Sequence, residues 1–180
     1  LDMAEDEAVA GLGALGLQRM TEIARTDMRD LRVVYDNWFT ERSLYENGQF
    51  DHAMALLRES GYLTERDGAT WFKSSALGDE DDKVMVRSTG APTYFATDIA
   101  YHYNKFLERG FDRVVDVLGA DHQGHVRFMG TVPTALGVDT EKLDLIIYQL
   151  VTLKRGDEVV RASKRTGDLV TLRELVDEVG

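Results

Sequence analysis

Leu145 to Leu153 is almost unbrokenly apolar, as a parallel strand covered on both faces would be. Arg113-Val-Val-Asp-Val-Leu118 has the β-branched enrichment of a second buried strand. Between the two lie Gly119-Ala-Asp-His-Gln-Gly-His125 and a helical stretch reaching about Leu136, in which Gly130 and Pro133 should loosen or kink the helix. Ahead of them, Thr97 is expected to cap a helix running to about Glu108, with Ile99, Tyr103 and Phe106 as its buried stripe. Strand alternating with helix in this way argues for half of an open parallel α/β sheet, with ligands bound beyond the C-terminal strand ends.

The N-terminal part reads differently. Leu12, Leu15, Leu17, Met20 and Ile23 recur at helical spacing but are interrupted by Gly11, Gly13 and Gly16, which predicts a frayed start and a firmer helix over roughly Leu17 to Met28. Leu31 to Phe39 reads as a strand, with Val33, Tyr35 and Asn37 alternating against Val34. Gln49 to Ser60 is an amphipathic helix stopped by Gly61. Asp67-Gly68 marks a hairpin between Tyr62–Asp67 and Ala69–Ser75. The acidic run Asp79-Glu-Asp-Asp82 reads as a solvated loop, and Lys83 to Arg87 as a strand turning at Ser88-Thr-Gly90. At the other end, Arg155-Gly-Asp157 is a turn, and Thr171-Leu-Arg-Glu174 matches a capping box that starts a last helix.

A chain of 180 residues holds one ordinary domain or a lobe of something larger, and ends at Leu1 and at Gly180, just past an amphipathic helix, favour the lobe. With 43% hydrophobic and 29% charged residues the chain is globular rather than disordered. No apolar run approaches a membrane span and no leader precedes the first helix, so a soluble, cytoplasmic location is expected. The absence of cysteine excludes disulfides, thiol catalysis and zinc-thiolate sites. A net charge of −11 argues against a surface built mainly for nucleic acid. Positive charge is nevertheless concentrated near the C-terminus, at Lys154, Arg155, Arg161, Lys164, Arg165 and Arg173.

Three groups of residues have the chemistry of a site. Ser163 and Lys164 stand side by side before a glycine-containing turn, and a mobile ammonium beside a hydroxyl is what charge developing on a polyphosphate requires; an ordinary basic surface loop is the alternative. Gly119 and Asp121 follow a strand, where glycine lets backbone approach a sugar and a carboxylate can accept from ribose hydroxyls. Asp121 as a helix cap is the other reading. Tyr94 and Asp98 are four apart at the start of a helix and can face one pocket, where a carboxylate takes a guanidinium in two parallel hydrogen bonds. Alternatively Tyr94 belongs to the core and Asp98 serves the helix dipole.

Together these stretches resemble the arginyl-tRNA synthetases of class I. Arg161-Ala-Ser-Lys164 is similar to the Lys-Met-Ser-Lys signature, departing from it at the first two positions, and Tyr94-Phe-Ala-Thr-Asp98-Ile-Ala100 is similar to the family's Tyr-x-x-x-Asp-Ile-Ala. Further matches run through Tyr35-Asp-Asn-Trp-Phe-Thr-Glu41, Ser43-Leu-Tyr45, Asp67-Gly-Ala69, Asp112-Arg-Val-Val-Asp116 and Val170-Thr-Leu172. His122-Gln-Gly-His125 imitates the His-x-Gly-His signature but lies directly behind Gly-Ala-Asp and too near Lys164 to be it.

The resemblance implies an α/β fold: the second half of a Rossmann-like parallel-sheet catalytic domain, with a small α+β insertion. Residues 1–92 would form the helical and β-hairpin region leading into the fold, and 93–180 its C-terminal half. The implied activity is that of an arginine-tRNA ligase, with the true His-x-Gly-His half absent and the piece inactive alone. Lys164 and Ser163 would be catalytic and bind ATP together with Gly119 and Asp121, while Tyr94, Asp98 and His122 would bind arginine. ATP with Mg2+, L-arginine and tRNA(Arg) are the implied partners of a parent expected to be monomeric. A compact nucleotidylyltransferase and a non-enzymatic α/β binding module are the alternatives.

Overall fold

The computed structural model describes residues 4–159 and 170–179, which divide into two units: residues 39–151, and residues 1–38 with 152–180. Arg161, Ser163 and Lys164 lie outside the described residues.

In the larger unit, α2 (Arg42–Glu46) and α3 (Gln49–Glu59) lead into an antiparallel sheet of β1 (Leu63–Arg66), β2 (Ala69–Phe72) and β3 (Lys83–Val86). Gly61, at φ 77°, ends α3 as a left-handed stop: its N–H bonds the Arg58 carbonyl, and the Tyr62 N–H reaches back to Leu57. Asp67 and Gly68 both take positive φ, at 52° and 74°, between the paired Arg66 and Ala69. That is the two-residue turn whose twist suits a hairpin. The acidic run is more than a solvated loop. The Asp79 carboxylate is nearly buried and lies 3.3 Å from Lys83 Nζ, while Asp82 accepts from the Ser75 hydroxyl at 2.6 Å and from Arg66 at 2.9 Å.

The next helix, α4, spans Tyr94–Tyr103 and continues through a π turn over Asn104–Glu108. Its cap is Thr93 rather than Thr97. Pro92 bridges back to Val86 and ends the extended run there; Thr93 stays extended, and its hydroxyl donates to the Val84 carbonyl at 2.6 Å. Thr97 is thereby drawn into the helix and buried, sharing a 2.7 Å hydrogen bond with the Tyr45 hydroxyl. Leu44, Leu57, Phe72, Met85, Ile99, Phe128 and Val132 form the core that joins these helices to the small sheet.

A parallel pair completes the unit: β4 (Val114–Gly119) aligned with β5 (Leu143–Tyr148), from Val114 opposite Leu143 to Gly119 opposite Tyr148. Between them run a 3-10 turn over Ala120–His125 and α5 (Val126–Ala135). The parallel pairing is as expected, but burial of both faces is not. Among the described residues the helices cover only the side of Val114 and Asp116, leaving Val117 61% and Ile146 50% exposed. Apolar composition reports what a strand is suited to touch, and here one face has nothing packed on it.

In the smaller unit, α1 runs unbroken over Glu5–Asp30 despite its glycines, so the expected frayed start is not seen. Leu31 to Phe39 is not a strand. Arg32 takes φ 60°, its N–H bonds the Arg29 carbonyl and the Val33 N–H bonds that of Met28, which is the Schellman closure of α1. The following residues fold back on the helix, with Trp38 under the Arg25 guanidinium at 5.2 Å and Tyr35 edge-on to Trp38. Alternating side chains suit a strand only where another strand supplies hydrogen bonds, and none is present here among the described residues. A short hairpin, β6 (Lys154–Arg155) with β7 (Glu158–Val159), turns at Gly156, and α6 (Leu172–Val179) starts at the expected capping box. There Glu174 accepts from the Thr171 N–H at 2.7 Å and donates its own N–H to the Thr171 hydroxyl.

Candidate functional site

At the C-terminal end of β4 the chain opens a cavity of about 640 Å³, lined by Tyr94, Phe95 and Asp98 of α4, Leu118 of β4, and Asp121, His122 and His125 of the 3-10 turn. Tyr94, Asp98, Asp121 and His122, singled out from sequence as separate elements, therefore meet in one place. The parallel pairing of β4 with β5 fixes where β4 ends, and the early start of α4 at Thr93 places Tyr94 and Asp98 in its first turns, facing that end.

Asp98 is the best-held of the four. Its Oδ2 lies 2.8 Å from His125 Nε2, and because an ionised carboxylate only accepts, that nitrogen carries the proton. Oδ1 makes no hydrogen bond among the described residues, and the Asp98 side chain is 36% exposed to the cavity. The His125 ring is wedged among Phe128, Phe95 and Tyr94 at 5.0, 5.2 and 5.4 Å between centroids. Tyr94 packs on Phe95 at 4.1 Å yet remains 62% exposed, so it is a wall of the cavity and not core.

Among the described residues the Asp121 side chain, second in the turn Ala120–His125, accepts no capping hydrogen bond. Its carboxylate is open, 3.7 Å from His122 Nε2, and both side chains are mostly exposed. A Cβ on Gly119 would stand 2.5 Å from Asp121 Oδ1 and 3.6 Å from Leu150, so the glycine leaves room for that carboxylate to lie back over the strand end.

Behind the cavity, His102 is fully buried. Nδ1 is 2.8 Å from the Asp98 carbonyl oxygen and Nε2 is 2.8 Å from Asp116 Oδ2. Lys105 Nζ reaches Asp116 Oδ1 at 2.6 Å. Burial pushes the Asp116 carboxyl up, but the hydrogen bonds and charges of His102 and then Lys105 outweigh it and lower it to about 2. From sequence, His102 reads as an ordinary packing or surface residue; it is buried as packing predicts, but it also ties the Asp98 backbone to β4. His125 and Lys83, which also lines the cavity, were not anticipated as site residues. Position close behind Asp121, on the turn that must face α4, is the signal that could have found His125.

The model of the class I tRNA synthetases (R), catalytic domain, matches residues 14–180. The chain belongs to the class I arginyl-tRNA synthetase family. An arginine-tRNA ligase of Dehalococcoides mccartyi is 54% identical over 180 residues, all of this chain and 32% of its own length. That of Carboxydothermus hydrogenoformans is 51% identical, again over the whole chain and 32% of the relative. The chain thus spans 32% of the length of each of these curated relatives. A crystal structure of an arginyl-tRNA synthetase from Campylobacter jejuni superposes with a TM-score of 0.87 at 30% identity, covering 98% of this chain and 38% of that one. The Thermus thermophilus arginyl-tRNA synthetase, at 20% identity, shares the fold with a TM-score of 0.77 over 94% of this chain and 34% of its own. The α/β, parallel-sheet class expected from sequence is that of the class I synthetase catalytic domain.

Proposed function

We propose that this chain is part of an arginine-tRNA ligase, contributing the arginine pocket and one side of the ATP site. The observation that carries the proposal is Asp98. It is a carboxylate of α4 facing the C-terminal end of β4, braced on one oxygen and open on the other, beside the exposed ring of Tyr94. A guanidinium is planar and always charged, and pairs with such a group through parallel N–H donors, whereas an ammonium offers only a point charge. Tyr94 supplies a flat surface for the same group, and His122 a polar contact further along the cavity.

On this reading residues 93–180 form the C-terminal half of the nucleotide-binding fold, and residues 1–92 lead into it. Gly119 and Asp121 hold the ATP ribose, and the open Asp121 carboxylate supports that role over helix capping. The arginine carboxylate attacks the α-phosphate, forming arginyl-adenylate and releasing pyrophosphate; a hydroxyl of the terminal adenosine of tRNA(Arg) then takes the arginyl group, with AMP as the leaving group. Lys164, with Ser163, stabilises the negative charge that accumulates on pyrophosphate. Magnesium accompanies ATP as its complex; among the described residues no group of three or more His, Asp and Glu side chains is arranged as a metal site, and no protein ligand is assigned. Among the described residues no helix is long and apolar enough to cross a membrane, in keeping with a cytoplasmic enzyme of translation that we take to be a monomer.

ATP–pyrophosphate exchange tests the proposal. The intact protein containing this segment is expected to exchange only when arginine is present, and the 180 residues alone are expected not to exchange. Exchange supported equally by another amino acid, or by the isolated segment, would contradict it.

A further inference from the structure

We infer that His125 is a positioning residue for arginine: it holds the Asp98 carboxylate in the orientation that presents Oδ1 to the guanidinium. The inference rests on Asp98 being the arginine-binding carboxylate. Among the described residues the His125 ring makes no hydrogen bond to backbone. Its Nε2–H spends its hydrogen bond on Asp98 Oδ2, 2.8 Å away. The ring is fixed by three aromatic neighbours, Tyr94, Phe95 and Phe128, and its side chain is only 14% exposed. A donor locked in a rotamer by packing is what holds a binding group within the narrow geometry that a bidentate contact needs.

Among the described residues, the other charged groups lining the cavity have carboxylates of their own: Lys83 of β3 lies 3.3 Å from Asp79, and His122 lies 3.7 Å from Asp121. His125 is thus the donor committed to Asp98. His102 fixes the same residue from behind, through its carbonyl oxygen, so backbone and carboxylate are set independently.

The test is steady-state exchange by the intact enzyme with Asp98→Ala, His125→Ala, His125→Gln and the double Asp98→Ala/His125→Ala variant. Gln can place an N–H donor near the position of Nε2. His125→Ala is expected to raise KM for arginine about tenfold, the size of a lost charge-assisted hydrogen bond, with KM for ATP within about twofold; His125→Gln is expected to recover most of the loss. On the Asp98→Ala background, removal of His125 should add little, since residues acting through one contact are not additive. Should Asp98→Ala raise KM for arginine while His125→Ala does not, or should Gln behave as Ala does, the positioning role is wrong and the pocket assignment stands. An Asp98→Ala variant with wild-type KM for arginine would overturn the pocket assignment and, with it, this inference.

Discussion

His102 Nε2 and Asp116 Oδ2 are 2.8 Å apart in a buried contact that links α4 to β4 directly behind the cavity. Lys105 completes the arrangement on the other carboxylate oxygen. The contact sets the distance between the helix carrying Asp98 and the strand whose end carries Gly119 and Asp121, so the two halves of the candidate site are held by one polar cluster.

Asp116 makes this cluster sensitive to acid. Its carboxyl is lowered to about 2, from 3.8, so it contributes stability that is present above pH 4 and is lost as pH falls toward 2. The contribution is on the order of 2 kcal/mol from the linkage between folded and unfolded states. Asp116→Asn should destabilise the fold by about 3 kcal/mol, because the amide removes the negative charge and keeps an acceptor for only one of His102 and Lys105, turning an NH2 donor toward the other. Urea midpoints measured from pH 5 down to pH 2 should fall more steeply in the wild type than in the variant.

Gly68 should tolerate no side chain, for conformational reasons alone. Its φ is 74°, and an added Cβ would meet nothing closer than Ser88 Cβ at 3.6 Å. Gly68→Ala should therefore cost about 1 kcal/mol in chemical denaturation, the penalty for a left-handed Cβ residue, with the cavity unchanged.

Gly119 presents the opposite case. Its φ is −69°, so alanine is not strained there, but the new methyl would displace the Asp121 carboxylate. We expect Gly119→Ala to shift the melting temperature by less than about 2 °C, below the roughly 2–4 °C that a 1 kcal/mol loss produces in a chain this size. KM for ATP should rise in Gly119→Ala and in Asp121→Ala alike. Equal ATP kinetics in the two variants and the wild type would remove both residues from the ATP site.

Lys164→Ala is expected to lower kcat for pyrophosphate exchange by roughly 10²-fold, the usual effect of removing one preorganised charge-stabilising group, with a much smaller change in KM for arginine. An arginine KM effect larger than the kcat effect would place the lysine in the amino-acid pocket instead.

What was legible in the sequence was whatever short-range chemistry decides. Asp67-Gly68 demanded a hairpin, Gly61 ended its helix and Thr171 with Glu174 made the capping box, each because two or three adjacent residues suffice. Tyr94 and Asp98, Gly119 and Asp121 were legible as pairs, but that Asp121 shares one cavity with Tyr94 and Asp98 depends on the α4–β4 contact across His102 and Asp116, which no spacing reveals. Leu31 to Phe39 was misread because alternation cannot show whether a partner strand exists, and Thr97 because the Val86–Pro92 bridge moved the helix start to Thr93. His125 stands out in the sequence only as part of the His122–His125 imitation, because its partner Asp98 is 27 residues away on α4.

The most direct test is calorimetric titration of the intact protein with L-arginine and, separately, with L-lysine, in the wild type and in Asp98→Ala. The open carboxylate beside Tyr94 predicts that arginine binds in clear preference to lysine and that Asp98→Ala abolishes the preference. Equal affinity for the two amino acids, or undiminished arginine binding by Asp98→Ala, would contradict the assignment of this cavity to arginine.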